Sequence, residues 1–244
     1  MAQMTPQPWL LNIRPEPQAS RFAAGLAARY GAALPVITSP LMQTVFLSPL
    51  LPPDHFAALV LTSEAGAMAA AGLRRAGAVL PDLAFCVGDR TAEIAKIAVT
   101  ETVSAKGDAR DLLALLAGRA EDPLLYLHGE DRAADLGVAL APGGRRVVSV
   151  VAYRQQEMPL NPAATAALTW ESPLIVPLFS PRSARLFLRA VAGQGLDHIN
   201  PVVISENTRA VLPEMLAKRA LIADRPDGPS MLAAIARLVP PPLP

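Results

Sequence analysis

The sequence predicts an α/β protein of two similar domains, each a parallel sheet flanked by helices, with one domain discontinuous and a hinge of two segments joining them. Three observations carry that reading. Apolar strand-like runs alternate with amphipathic helical ones along nearly the whole chain. A short pattern of strand, small hydroxyl residue and helix occurs twice with fixed spacing, so that Ser63 and Ser180 are 117 residues apart, as are Thr91 and Thr208. Pro-interrupted stretches at 33–41 with 45–47, and at 154–162, suit crossings between domains better than the middle of a sheet.

Taken in order, residues 10–13 form a strand stopped by Arg14-Pro15, and 16–30 a helix with Phe22, Leu26 and Tyr30 at helical spacing. After the first crossing, strands at 58–61, 84–87, 99–103, 124–127 and 147–153 alternate with helices at 64–76, 91–97, 108–116 and 132–140. This βαβαβαβαβ order is the signature of a mainly parallel sheet with both faces covered. The pattern restarts with a strand at 174–179, a helix at 182–191, a strand at 201–204, a helix at 208–218 broken at Pro213, and a helix at 230–238. The second set has too few strands for a whole sheet, and the N-terminal strand, helix and extended piece complete it. The expected domains are therefore 1–38 with 158–244, and 42–152 inserted between them, with 39–41 and 153–157 as hinge segments. The Pro-rich tail at 240–244 is expected to fray.

With 244 residues, 52% of them hydrophobic, the chain can bury a full core. A net charge of +1 without any Lys/Arg run argues against a nucleic-acid partner. Neither a signal-peptide h-region nor an apolar run of roughly 18 residues occurs, so a cytoplasmic protein without a membrane partner is expected. His55, His128 and His198 lie far apart, and no C-x-x-C or H-x-x-x-H spacing exists, so no metal site is expected. Neither G-x-G-x-x-G nor a phosphate-loop motif points to a nucleotide cofactor. Cys86, the single cysteine, reads as a small apolar residue of a buried strand.

What remains is a set of hydroxyls at strand ends: Thr62, Ser63, Thr91, Ser104, Ser180, Ser183 and Thr208. Singly, each has the character of a helix cap. Together they would lie at the carboxyl ends of parallel strands, where open α/β sheets bind ligands and helix N-termini accept anions. If the two duplicated edges face each other, they make a cleft for a polyanion. Gly107-Asp108 carries the same double reading: Gly107 would admit a carboxylate close to the backbone, or Asp108 simply caps the next helix. Tyr153 ends a β-branched apolar strand where the chain returns between domains, and a phenol on a cleft wall can donate to a leaving oxygen; equally, it is an interfacial aromatic with its hydroxyl in water.

These residues resemble the uroporphyrinogen-III synthases. The matching pieces are Arg14-Pro15-Glu16-Pro17-Gln18-Ala19, Leu61-Thr62-Ser63-Glu64-Ala65, Val87-Gly88-Asp89-Arg90-Thr91-Ala92, Gly107-Asp108-Ala109, Val151-Ala152-Tyr153-Arg154, Phe179-Ser180-Pro181-Arg182-Ser183-Ala184, Thr208 and Pro229-Ser230-Met231-Leu232. None is specific alone; their order and spacing are. The resemblance implies a cofactor-free, monomeric enzyme that closes the linear tetrapyrrole hydroxymethylbilane to uroporphyrinogen III with loss of water, and transient handover of that substrate from hydroxymethylbilane synthase. Carried over by position, Tyr153 becomes the candidate acid and Ser63, Ser104, Ser180 and Thr208 the hydroxyls that hold the substrate; Arg14, Thr62, Thr91 and Ser183 complete the expected substrate contacts. Two departures stand out. His128-Gly129 replaces an Arg-Gly, which would make a cationic contact there pH-dependent, with Arg132 as a substitute. Ser205-Glu206-Asn207 replaces a Gly-containing turn, with Glu206 expected to face solvent. Two other readings stay open at this stage: a non-catalytic hinge-closing binding or sensor protein for a polycarboxylate, and a degenerate relative retained for interaction.

Overall fold

The structure, a computed structural model, describes residues 6–131, Ala139 and 144–239. The helix expected over 132–140 lies outside the described residues apart from Ala139, as do Arg132 and the tail at 240–244. The chain divides into two compact units, Met1–Gln43 with Glu157–Pro244, and Thr44–Gln156. It passes between them twice, within β3 (Met42–Phe46) and at the end of β8 (Val147–Glu157).

In the continuous unit the described elements run β4 (Ala58–Leu61), α2 (Glu64–Arg75), β5 (Leu83–Cys86), α3 (Asp89–Ala95), β6 (Glu101–Ser104), α4 (Ala109–Ala117), β7 (Leu124–Gly129) and β8. Their sheet has the order β3-β8-β7-β4-β5-β6. All pairings from β6 to β8 are parallel. Only β3 runs the other way, since Leu47 N–H donates to Ala152 C=O and Met158 N–H to Leu41 C=O, both pairs summing to one register. Side chains alternate across the sheet as a two-residue period demands. Leu59, Leu61, Ala84, Cys86, Leu125 and Leu127 pack under α2 and α3, while Ala58, Val60, Phe85, Leu124 and Tyr126 meet α4 on the other face.

The discontinuous unit contains β1 (Trp9–Asn12), α1 (Gln18–Tyr30), β2 (Val36–Thr38), α5 (Pro162–Ala167), β9 (Leu174–Leu178), α6 (Pro181–Ala190), β10 (Ile199–Val203), α7 (Glu206–Arg209), α8 (Glu214–Arg219), β11 (Leu221–Ile222) and α9 (Gly228–Ala236). Its sheet, β11-β10-β9-β1-β2, is parallel throughout. Leu11, Leu174, Val176 and Val203 face one core with α5, α6 and α8, and Leu10, Ile175 and Val202 face another with α1 and α9. Both sheets are thus covered twice, which is why their central strands are apolar at nearly every position.

The two sheets share one strand arrangement. Counted from β4, the continuous unit reads third, second, first, fourth, fifth across the sheet; counted from β9 and continuing from α9 into β1, so does the other. The duplication extends to register: Leu61 pairs with Cys86 and Leu178 with Val203, and Val87 N–H donates to Leu61 C=O as Ile204 N–H does to Leu178 C=O, each at 3.0 Å. The three pairs of equivalent positions, Leu61 and Leu178, Cys86 and Val203, Val87 and Ile204, are each separated by the offset of the sequence repeat. In this order the chain reverses direction between the first and fourth strands, which are β4 and β7 in one unit and β9 and β1 in the other. Open α/β sheets take ligands at that reversal, outside the carboxyl ends of the strands.

Three elements differ from expectation. Residues 154–157 are polar but continue β8 as a strand, held on one side by β3. Helix α5 begins at the last residue of the expected crossing and runs through a stretch to which the sequence reading assigns no element, with Asn161 capping it through a bond from Ala164 N–H at 2.9 Å. Strand β11 has no counterpart in the sequence reading, whereas the break expected at Pro213 is present between α7 and α8, as the missing N–H of proline requires.

Candidate functional site

At the reversal point of the continuous unit, β4 ends at Leu61 and the chain turns through Thr62 and Ser63 into α2. Ser63 is extended (φ −156°, ψ 157°), and its Oγ accepts from Gly66 N–H at 3.0 Å, so it caps the helix. The same Oγ lies 2.8 Å from the Tyr153 hydroxyl. Thr62 Oγ1 shares a hydrogen bond of 3.1 Å with the Tyr126 hydroxyl, and the Tyr126 ring leans on that of His128 with centroids 4.8 Å apart. Next to them β7 ends at Gly129, whose lack of a side chain makes room for Tyr153: a Cβ there would sit 2.7 Å from Cε2 of the ring. His128 is buried, and its Nδ1 lies 2.7 Å from the carbonyl of Gly129. The imidazole is thus engaged with its own strand.

The reversal point of the discontinuous unit is built on the same plan. Ser180, extended at φ −168° and ψ 160°, caps α6 through a reciprocal box: its Oγ accepts from Ser183 N–H, and Ser183 Oγ accepts from Ser180 N–H, each at 3.0 Å. Arg14 follows β1, the neighbouring strand. Its guanidinium stands 3.8 Å from the centre of the Phe179 ring and 5.7 Å from that of Phe22. The turn that presents it is fixed by buried Asn12, whose amide donates to Ala19 C=O at 2.9 Å and whose Oδ1 accepts from Arg14 N–H at 3.3 Å.

A search with family models gives one that matches residues 22–233, described as uroporphyrinogen-III synthase HemD. The chain belongs to that family. Members of the uroporphyrinogen-III synthase family serve porphyrin biosynthesis, and the family assignment does not favour the non-catalytic binding reading. Among solved structures, the uroporphyrinogen-III synthetase of Helicobacter pylori is similar in fold, with a TM-score of 0.63 at 19% identity over 84% of this chain and 93% of that one. A mutant uroporphyrinogen III synthase of the extremely thermophilic bacterium Thermus thermophilus aligns at 16% identity over 94% of this chain and 97% of that one, with a TM-score of 0.47. No curated protein matches the sequence.

The remaining hydroxyls differ in burial. Thr91 and Thr208 occupy equivalent places, third in the helices after β5 and β10, and both are buried, Thr208 completely. Thr208 Oγ1 bonds Ser205 Oγ at 3.2 Å, so it holds its turn closed from beneath. Ser104, partly exposed at the end of β6, accepts from Lys106 N–H at 3.1 Å. Asp108 caps α4 with Asp111 in a reciprocal box, and the Asp111 carboxylate fills the space above Gly107, where a Cβ would overlap it. The cap expected of Asp108 is therefore present. Glu206 is exposed and pairs with Arg209 at 2.7 Å.

Sequence reasoning overlooked Tyr126 and the role of Gly129 at one strand reversal, and Phe179 and Asn12 at the other. A glycine at the end of a wholly buried strand is a signal of close approach by another group; the other three carry none, since their roles depend on partners distant in the chain. Among the described residues, no group of three or more His, Cys, Asp or Glu side chains comes together to hold a metal, and no helix is long and apolar enough to cross a membrane. Cys86 is fully buried in β5, and burial pushes its thiol up to about 12.

Proposed function

We propose that this protein closes hydroxymethylbilane to uroporphyrinogen III with inversion of ring D and loss of water. The observation that supports it most directly is the Tyr153 phenol held 2.8 Å from Ser63 Oγ at a strand reversal, beside the free end of α2. First-turn N–H groups lack partners within a helix and favour anions. We assign Ser63, Thr62 and Ser104 in one unit, and Arg14, Ser180 and Ser183 in the other, to the acid side chains of the substrate. Thr91 and Thr208, being buried, support the turns whose backbone donors make those contacts.

The chemistry asks little of any one group. An electron-rich pyrrole expels the hydroxymethyl oxygen once Tyr153 donates a hydrogen bond to it; the carbon–oxygen bond breaks and water leaves with one added proton, giving an azafulvenium cation. Unassisted closure at the free carbon of ring D gives the symmetric type I product. Attack from the substituted carbon instead gives a spiro intermediate, whose fragmentation and recombination invert the ring before a proton is lost. Selecting that path is a matter of holding the chain folded, so rate enhancement comes from orientation and exclusion of water. We assign the protein to the cytoplasm as a monomer receiving its labile substrate from the enzyme that makes it.

The test is to supply freshly made hydroxymethylbilane and resolve the oxidised products as type I and type III uroporphyrins. Predominant type III, rising with protein concentration, is expected. The spontaneous type I proportion at every concentration would overturn the proposal.

A further inference from the structure

We infer that Gly129 is a positioning residue for the Tyr153 phenol; the inference rests on the reading of Tyr153 as the acid. The geometry comes from two features of the strand pair. His128 pairs with Val151, but Gly129 pairs with Tyr153, so Ala152 is an extra residue in β8 and the register shifts there. A bulge of this kind re-aims the side chain that follows it. Glu130 N–H donates to Tyr153 C=O at 2.9 Å and locks the shifted register. The ring then crosses the backbone of β7 at the one place without a side chain: a Cβ on Gly129 would lie 2.7 Å from Cε2, 2.8 Å from Cζ and 3.1 Å from the hydroxyl oxygen. Only in this position does the phenol reach Ser63 Oγ. The backbone of Gly129 is not free to yield, because its carbonyl lies within bonding distance of buried His128. A methyl group here pushes the ring, not the strand, and moves the hydroxyl by roughly an ångström or more, enough to cost orders of magnitude in a reaction governed by orientation.

The experiment compares Gly129→Ala, Tyr153→Phe and the double variant by steady-state kinetics, thermal unfolding and the ¹³Cζ spectrum of labelled tyrosine; with three tyrosines in the chain, the resonance lost in Tyr153→Phe identifies Tyr153. Gly129→Ala is expected to lower kcat by about 10- to 100-fold with KM within about twofold, and to shift that resonance. The double variant should turn over no more slowly than Tyr153→Phe, although its Tm stays lowered because the phenyl ring meets the same methyl group. An unchanged kcat in Gly129→Ala, or the same further loss in the Phe background, overturns the inference. An unchanged rate in Tyr153→Phe alone removes the acid role first, and the inference with it. Should Gly129→Ala not fold, Gly129→Ala/Tyr153→Leu is compared with Tyr153→Leu: equal turnover is expected, and an additional loss counts against positioning.

Discussion

Arg14 and Phe179 meet with the guanidinium 3.8 Å from the ring centre, following neighbouring strands that come from the two separate chain segments of their unit. Each is close to the first residue beyond its strand at the reversal point, so the aromatic face fixes where the charge stands. Lys cannot reproduce a planar stack. Arg14→Lys should therefore raise KM for hydroxymethylbilane by about tenfold, within the range for a charge-assisted contact. Phe179→Leu, which keeps the apolar bulk, should raise it by about two- to fivefold, as loss of a part-exposed cation–π contact implies. Equal KM values in all three proteins would remove Arg14 from the substrate.

Caps and ligands can be told apart. Ser63→Ala, Ser180→Ala and Asp108→Ala each remove a side-chain cap of a helix after a strand, and each should cost about 1 kcal/mol in denaturant unfolding. Only the first two should also raise KM, by about tenfold or more if the hydroxyl meets a carboxylate. If all three behave alike, the hydroxyls are structural and nothing further.

The Cys86 thiol offers a check on the core. Held up near 12 by burial, it is almost wholly protonated in neutral and mildly alkaline solution. Alkylation of the native protein should run about a thousandfold slower than of the denatured chain, whose thiol titrates in the ordinary range. Comparable rates would mean that β5 opens readily.

Asp227 ties stability to acid. Ser230 N–H donates to its Oδ1 at 2.8 Å, and bonding from the Ser230 backbone, then its side chain, holds the carboxyl below its usual value. A group lowered in this way adds stability above its unfolded pKa and loses it as pH falls through the folded one. The Tm gap between the parent protein and Asp227→Ala should be present at neutral pH and close below the ordinary carboxylate range. A gap independent of pH would show that the charge of the cap is irrelevant.

Much of this was readable in the chain, for identifiable reasons. The strands β4, β7 and β9 are buried on both faces, so each is a nearly uninterrupted apolar run, and the hydroxyl that follows β4 or β9 marks the turn because it is also the cap. Illegible features are those set by distant partners. Residues 154–157 show no apolar alternation because β8 is largely exposed there, and Asn161-Pro162 resembles a turn as much as a helix start until Ala164 is seen donating to the Asn side chain. β11 is two residues long and exists only as the edge of β10. The Ser63–Tyr153 bond joins residues 90 apart in the chain, and no local pattern encodes it. Thr91 and Thr208 were readable as equivalent, but not as buried, since a threonine in a first turn faces inward or outward with equal ease.

The rotated strand order of the discontinuous unit makes a rearranged gene conceivable. α9 lies against α1, with Tyr30 donating to Leu232 C=O at 3.4 Å, and a linker that joins residue 239 to residue 6 keeps every strand neighbour of this sheet. Such a polypeptide, running from 157 through the splice to 43, would read its sheet in the same sequence as its sister lobe. Whether it folds by itself would reveal if each half carries its own folding instructions.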